Sequence, residues 1–266
     1  MSKEPIWNRY LTDEDKTVIE AAGWTGMMGF GKRPAILVID VSYGWAGQRD
    51  MPILEAMKRW RLACGPQSWD AIDQIARLTQ AGRSKGLPVI YTTGFGRADA
   101  WDAGGWGWKN TKERRAEPVP QDGKGHSVIV EEIAPQPQDI VIYKQKPSAF
   151  FGTNLQSYLT LLQCDSLIVT GTVTSGCVRA SVIDAFSLNY RVAVAGDACF
   201  DRIPASHALN LLDMHSKYAD VRDTADIVSF FETLPDGLFD LPKGSDPSQV
   251  SKTFQPQSVS PATQVA

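Results

Sequence analysis

"SLIVTGTVTSGCVRASVIDAFSLNYRVAVAG", residues 166 to 196, decides the fold. Its two ends, SLIVTG (166–171) and RVAVAG (191–196), are short apolar runs without polar alternation, the pattern of strands buried on both faces. The stretch from Val178 to Leu188 between them is helix-like, so the whole reads as strand, helix, strand, a right-handed parallel crossover. The same rhythm extends outward. PAILVID (34–40), PVIYTT (88–93) and DIVIY (139–143) are further buried-strand candidates. Helical patterns run from Ser68 to Lys85, with Ile72, Ile75, Ala76 and Leu78 on one face, from Leu155 to Leu162 and from Ala205 to Lys217. ADVRDT (219–224) and ADIVSFFETL (225–234) supply a sixth strand and a last helix. The expected fold class is α/β: three αβα layers around a doubly wound, six-stranded parallel sheet of Rossmann-like type.

Composition limits the function classes. The 266 residues are 43% hydrophobic, enough for a substantial core, and the net charge of -3 with no long basic run argues against nucleic acid as a partner. The first residues, MSKEPIWNRYLTDEDK, do not have the form of a secretory signal, and no stretch is long and apolar enough to span a bilayer, so a cytoplasmic protein without a membrane partner is expected. Cys64, Cys164, Cys177 and Cys199 are too scattered for a disulfide framework and show no CxxC spacing. Residues 1–30 read as an N-terminal helical arm, 31–240 as the main domain and 241–266, rich in Ser, Pro and Gln, as a disordered tail. Residues 95–125, with Trp101, Trp106 and Trp108, form a Gly- and Trp-rich insertion that reads as a structured lid or a subunit contact.

Ligands of open parallel sheets bind beyond the carboxyl ends of the strands, and that rule selects the chemistry-bearing residues. Asp40 ends the first strand, Lys144 follows the third, Cys177 follows the fourth, and the fifth runs toward Asp197, Asp201 and Arg202. At the start of a helix, Cys177 would have its thiolate favoured by the positive helix end; the plainer reading is a small buried packing residue. Asp40 suits a buried base or an ordinary strand-end turn. Lys144 and Lys146, two residues apart, point to the same side of a continuing strand, and geometry alone does not choose between them. His126, His207 and His215 show no metal-ligand spacing and read as packing or surface residues, and no Gly-rich phosphate loop or GxSxG elbow is present.

AILVIDV (35–41), YKQKPSAFFGTNL (143–155) and LIVTGTVTSGCVRASVIDAFSLNYRVAVAGDACFDR (167–202), in this order and spacing, resemble the isochorismatase-like cysteine hydrolases, and within them the branch acting on N-carbamoylsarcosine and related ureides. The resemblance covers roughly residues 30 to 235 and makes residues 31–240 an isochorismatase-like hydrolase domain. It implies an Asp-Lys-Cys triad of Asp40, Lys144 and Cys177, with Lys144 chosen because it stands four residues before Ser148 of the Ser148-Ala149-Phe150 element. It further implies a cis peptide between Thr172 and Val173, and an oxyanion hole formed by the N–H groups of Val173 and Cys177. Arg202, after Asp201, is expected to hold a substrate carboxylate, with Phe150, Trp45 and Trp108 also assigned to substrate binding. The implied reaction is cleavage of a C–N bond in a small linear amide or ureide, with ammonia released through a thioester. N-carbamoylsarcosine or a similar carbamoyl compound is the first substrate expected, with biuret- or triuret-type ureides and maleamate as alternatives. A redox-sensing thiol protein on the same fold is the non-enzymatic alternative. Related nicotinamidases carry an aspartate and two histidines for a metal soon after the first strand. Here no histidine precedes His126, so neither metal nor cofactor is expected. A homodimer or homotetramer is the assembly that the resemblance implies.

Overall fold

The computed structural model describes residues 4–24, 26–97, 99–109 and 122–243. Six parallel strands, β1 (Pro34–Ile39), β2 (Val89–Gly94), β3 (Ile140–Lys144), β4 (Ser166–Thr172), β5 (Arg191–Phe200) and β6 (Asp220–Arg222), form one sheet in the order β3-β2-β1-β4-β5-β6. In chain order the α-helices among the described residues are α1 (Asp13–Ala21), α2 (Tyr43–Ala46), α3 (Ile53–Arg59), α4 (Gln67–Ser84), α5 (Gly105–Lys109), α6 (Leu155–Leu161), α7 (Arg179–Ser187), α8 (Pro204–Lys217) and α9 (Thr224–Thr233). The strand order reverses between β1 and β4, so the crevice expected of such a sheet opens at the carboxyl ends of those two strands.

β1 shows why the sheet lies between two helical layers. All six of its residues are buried. Because successive side chains point to opposite faces, Ile36 and Val38 join one core with Ile72, Ile75 and Leu78 of α4 and Ile227 and Phe231 of α9. Leu37 and Ile39 join the other, with Leu155 and Leu159 of α6, Val182 and Ala185 of α7, and Leu211 and Met214 of α8. Each large apolar side chain buried this way contributes about 1.5–3 kcal/mol. Period-two burial on both faces explains the unbroken apolar run.

The N-terminal segment is held to the body. Thr12 and Asp15 make a reciprocal capping box at the start of α1, Trp7 is buried against His215 with ring centroids 5.3 Å apart, and Asp220 accepts the N–H groups of Met28 and Gly29 at 3.0 and 2.8 Å.

β5 departs from the sequence reading. The apolar run ends at Gly196, yet the strand continues to Phe200, and the register against β4 shifts between Val169 and Gly171. Gly171 has φ +113°, and a Cβ there would run into the backbone N and carbonyl of Ile39, its register partner on β1. Only glycine allows this approach. Asp197 consequently takes no place at the crevice. Its Oδ1 accepts the N–H and hydroxyl of Thr224, both at 2.8 Å, and caps the start of α9.

The insertion is described at 95–97, 99–109 and 122–125. Trp106 Nε1 donates to the Gln145 carbonyl at 3.0 Å, directly after β3. Trp101 and Trp108 are 82% and 81% exposed among the described residues. The tail expected to be disordered lies, from residue 244 onward, outside the described residues, as do residues 110–121 of the insertion. No helix among the described residues is long and apolar enough to cross a membrane.

Candidate active site

Three sequence-selected residues meet at the carboxyl ends of β1, β3 and β4. Asp40 turns the chain just after β1 with φ 55°, a left-handed conformation that aspartate tolerates better than most residues. Its N–H donates to the Thr92 carbonyl at 3.1 Å, and its Oδ1 accepts the Thr92 hydroxyl at 2.8 Å, so β2 holds the carboxylate in place. Oδ2 lies 2.6 Å from Lys144 Nζ, and both side chains are nearly sealed, at 6% and 5% exposure. β3 is two strands away from β1, about 10 Å at ordinary spacing, and the four-carbon stem of lysine bridges that distance. Lys144 Nζ also donates to Cys177 Sγ at 3.4 Å and to the Lys146 carbonyl at 3.0 Å. The ambiguity between the two lysines ends here, since Lys146 brings its carbonyl to the cluster while Lys144 brings the ammonium.

Cys177 sits in a π-helical turn, Thr174–Val178, that leads into α7. The peptide between Thr172 and Val173 is cis. One turn beyond the thiol, Ser181 donates its hydroxyl to the Cys177 carbonyl at 2.7 Å and accepts the Ala149 N–H at 2.9 Å. Ser181 thereby ties the Ser148-Ala149-Phe150 element to the turn carrying the sulfur. The sequence reading passes over Ser181, although a hydroxyl four residues after the candidate nucleophile, on the same helix face, was the available signal.

Electrostatics correct one expectation. A helix start predicts a thiolate, but burial first, and then the Asp40 charge, push the Cys177 thiol up to about 12 against the opposing pull of Lys144. The resting group is a thiol beside a carboxylate. For Lys144, burial works to lower the pKa, but the Asp40 charge and the hydrogen bonds to Asp40 and Cys177 outweigh it and raise the value, so the ammonium stays protonated.

The residues assigned to substrate divide. Arg202 donates from Nε and Nη2 to the Leu62 carbonyl at 3.0 and 2.6 Å, and its guanidinium carbon stands 5.2 Å from the centre of the Trp45 ring. His126, read from sequence as a packing or surface residue, lies 5.8 Å from Trp45 and extends this row. Asp201 forms no surface pair with Arg202: its Oδ2 accepts the Ser175 N–H and hydroxyl at 2.9 and 2.6 Å, and its Oδ1 the Arg202 N–H at 2.8 Å. Phe150 is half-buried: its ring lies 6.3 Å from that of Tyr190, beyond the C-terminal end of α7, and packs against the core cluster that also contains Cys177. Trp108 is exposed among the described residues, and Trp106 is the tryptophan of the insertion whose indole N–H donates to the body.

Among the described residues no three His, Cys, Asp or Glu side chains converge as metal ligands would. A cavity of about 600 Å³ does occur, lined by Arg33, Ile140, Tyr158, Leu161 and Phe239. It lies at the amino end of β3, away from the sulfur, so the buried cluster and not this cavity is the candidate site.

The chain belongs to the isochorismatase family: residues 34–226 match the family's isochorismatase domain. It is 33% identical over 255 residues to N-carbamoylsarcosine amidase of an Arthrobacter species, covering 94% of this chain and 88% of that protein. It is also 33% identical over 202 residues to maleamate amidohydrolase of Pseudomonas putida, covering 74% and 86% of the two chains. Among solved structures, N-carbamoylsarcosine amidase from Thermoplasma acidophilum superposes with a TM-score of 0.54 at 25% identity, over 72% of this chain and 96% of that one. An isochorismatase family protein from Desulfovibrio vulgaris superposes at 0.63 with 26% identity, over 76% and 100%.

Proposed function

We propose that the protein is a cysteine amidohydrolase that cleaves the terminal C–N bond of a small amide or ureide bearing a carboxylate. The observation that carries this reading is the buried contact of Asp40, Lys144 and Cys177, in which a thiol pushed up to about 12 lies beside a carboxylate able to take its proton. Asp40 removes the thiol proton as the sulfur attacks the carbonyl carbon. Lys144, protonated throughout, balances the negative charge as it passes from Asp40 to the sulfur and on to the oxyanion. The developing oxyanion is assigned to the N–H groups of Val173 and Cys177. Collapse of the tetrahedral adduct breaks the C–N bond, and the proton held by Asp40 leaves with ammonia. Water then attacks the thioester and Asp40 takes a proton from it; as the C–S bond breaks and the acid leaves, Asp40 returns that proton to the sulfur and restores the thiol.

Arg202 supports the substrate class. Two of its five N–H groups hold the Leu62 carbonyl, which leaves the Nη1–Nη2 edge for a carboxylate, above the face of Trp45. N-carbamoylsarcosine, or another N-carbamoyl amino acid, is therefore the first substrate to try, and maleamate the second. The redox-sensor alternative is disfavoured by the same burial, because sensor thiols are exposed and acidic whereas Cys177 is 6% exposed with a raised pKa.

The test is ammonia release from a panel of carbamoyl amino acids, maleamate and neutral ureides. Cys177→Ala is expected to lose about 10⁴-fold or more in kcat; retention of full turnover would eliminate the mechanism. Arg202→Ala is expected to raise KM for carboxylate substrates about 10- to 100-fold, the range of a lost charged hydrogen bond, with neutral ureides unaffected. Equal losses on both would remove Arg202 from carboxylate recognition.

A further inference from the structure

The hydroxyls of the nucleophile turn all lead to one place. Thr172 Oγ1 and Thr174 Oγ1 both point to the Phe200 carbonyl, at 3.3 and 3.2 Å, and Ser175 gives its N–H and its hydroxyl to Asp201 Oδ2. Three of the residues between Gly171 and Cys177 are thus tied to the end of β5 and the residue after it. The extension of β5 past Gly196 is what brings Phe200 level with Thr172, its register partner. Behind this arrangement stands His207 of α8, with Nδ1 2.7 Å from Thr174 Oγ1.

The proton count couples the direction of these two bonds. Thr174 is fully buried and has one hydroxyl proton. If that proton goes to the Phe200 carbonyl, the short contact to His207 is a hydrogen bond only when Nδ1 carries a proton and donates. Burial first, with Arg9 adding to it and Asp201 opposing, lowers the His207 pKa, so the ring is neutral and a single nitrogen holds the proton.

We infer that His207 is a positioning residue for Cys177: as the Nδ1–H tautomer it donates to Thr174 Oγ1, directs that hydroxyl onto the Phe200 carbonyl, and with Asp201 holds the turn that presents the sulfur to Asp40 and Lys144. This inference rests on the reading of Cys177 as the nucleophile. His207 is assigned no contact with substrate. The amide of an asparagine places an N–H close to the position of a histidine Nδ1–H, whereas leucine fills the space without a donor.

The experiment compares His207→Asn, His207→Leu and Thr174→Val in two assays, steady-state kinetics on the best substrate and the rate of Cys177 alkylation by iodoacetamide, read on the Cys177 peptide by mass spectrometry. His207→Leu and Thr174→Val are expected to lower kcat about tenfold, the worth of one buried hydrogen bond, with KM within about twofold. Their alkylation is expected to slow by a similar factor, as the sulfur loses its place beside the Asp40 acceptor. His207→Asn is expected to recover most of both rates, and the His207→Leu, Thr174→Val double variant to be no worse than either single variant. Unchanged rates in His207→Leu, or an Asn variant as impaired as the Leu variant, would overturn the inference. Should the leucine variant fail to fold, Thr174→Ser against Thr174→Val asks the same question, with serine expected to keep both rates and equal rates in the two overturning it. Alkylation needs no substrate, so a wild-type protein that releases no ammonia would defeat the amidase reading while leaving the His207 test readable.

Discussion

Two buried ion pairs of equal length stand at opposite edges of the sheet. At the carboxyl edge Lys144 meets Asp40 at 2.6 Å, and at the amino edge Arg83 of α4 meets Asp139, just before β3, also at 2.6 Å. Each pair also touches a buried acid that burial has pushed up to about 12, the Cys177 thiol in one case and the Tyr91 phenol in the other. The difference lies in the chemistry of the groups that each pair gathers. Asp139 accepts Nε and Nη2 of Arg83 and the N–H of Gln136, while Arg83 Nη2 also donates to the Tyr91 hydroxyl at 2.7 Å. Its members are arginine, carboxylate and phenol, none of them suited to attack a carbonyl. The other set has a point-charge ammonium, a carboxylate and a soft nucleophile at the crevice where the strand order reverses. Burial and short distances alone do not mark a site. The nature of the third group and its place in the topology do.

The sharpest way to break this contrast is to disable one carboxylate and one cation. Asp40→Asn is expected to lower kcat for ammonia release by about 10² to 10⁴, the range of a lost general base, with the fold retained by circular dichroism. A loss below tenfold would place the carboxyl-edge pair with its structural counterpart. Arg83→Met should do the opposite. It leaves Asp139 buried without its cation and is expected to reduce the free energy of unfolding in urea by about 3–5 kcal/mol, with kcat of the folded enzyme unchanged. A stable Arg83→Met protein with reduced kcat would reverse the assignment of the two edges.

The smallest effect is one thiol's share of a response common to all four. Cys64, Cys164, Cys177 and Cys199 are each pushed up to about 12 from an ordinary value near 9.0, in each case chiefly by burial. Between those values the folded chain holds protons that the unfolded chain has released, so stability is complete below about pH 9 and falls as pH rises toward 12. The raised Lys144 pKa acts in the same direction, since its contribution is present below the ordinary lysine value and lost as pH climbs through the folded one. Each thiol adds about 1.4 kcal/mol per pH unit to the slope. Urea midpoints measured from pH 7 to 11 should stay level and then decline, and Cys199→Ala should make the decline shallower by about one thiol's share. A slope unchanged by that substitution would mean that Cys199 titrates normally.

The fold was legible in the sequence because strands buried on both faces leave unbroken apolar runs, as in β1, and because the strand-end rule needs only the order of elements. Asp40 and Cys177 were found for the same reason. Period-two geometry gave no choice between Lys144 and Lys146, since both lie on one side of the strand; the resemblance selected Lys144, and the geometry shows that its ammonium enters the cluster while the other lysine's carbonyl does. The β5 extension was hidden because Gly196-Asp197 has the composition of a turn, and only the neighbouring strands keep it extended. The state of the thiol was misjudged because the helix end is visible in sequence, whereas the desolvation that outweighs it comes from the whole fold. Thr92, Ser181 and His207 act through contacts with residues distant in sequence or on another element, where local pattern carries little information.

Gly171 sets a gauge for the crevice. The carboxylate of Asp40 follows β1 and the sulfur of Cys177 follows β4, so the separation of the two backbones at Ile39 and Gly171 helps set how far apart the two groups stand. Any side chain at 171 would act as a wedge driven between the two strands at their open end, parting carboxylate from sulfur without altering either one. One absent methyl group thus keeps the two strand ends, and the groups they carry, close together.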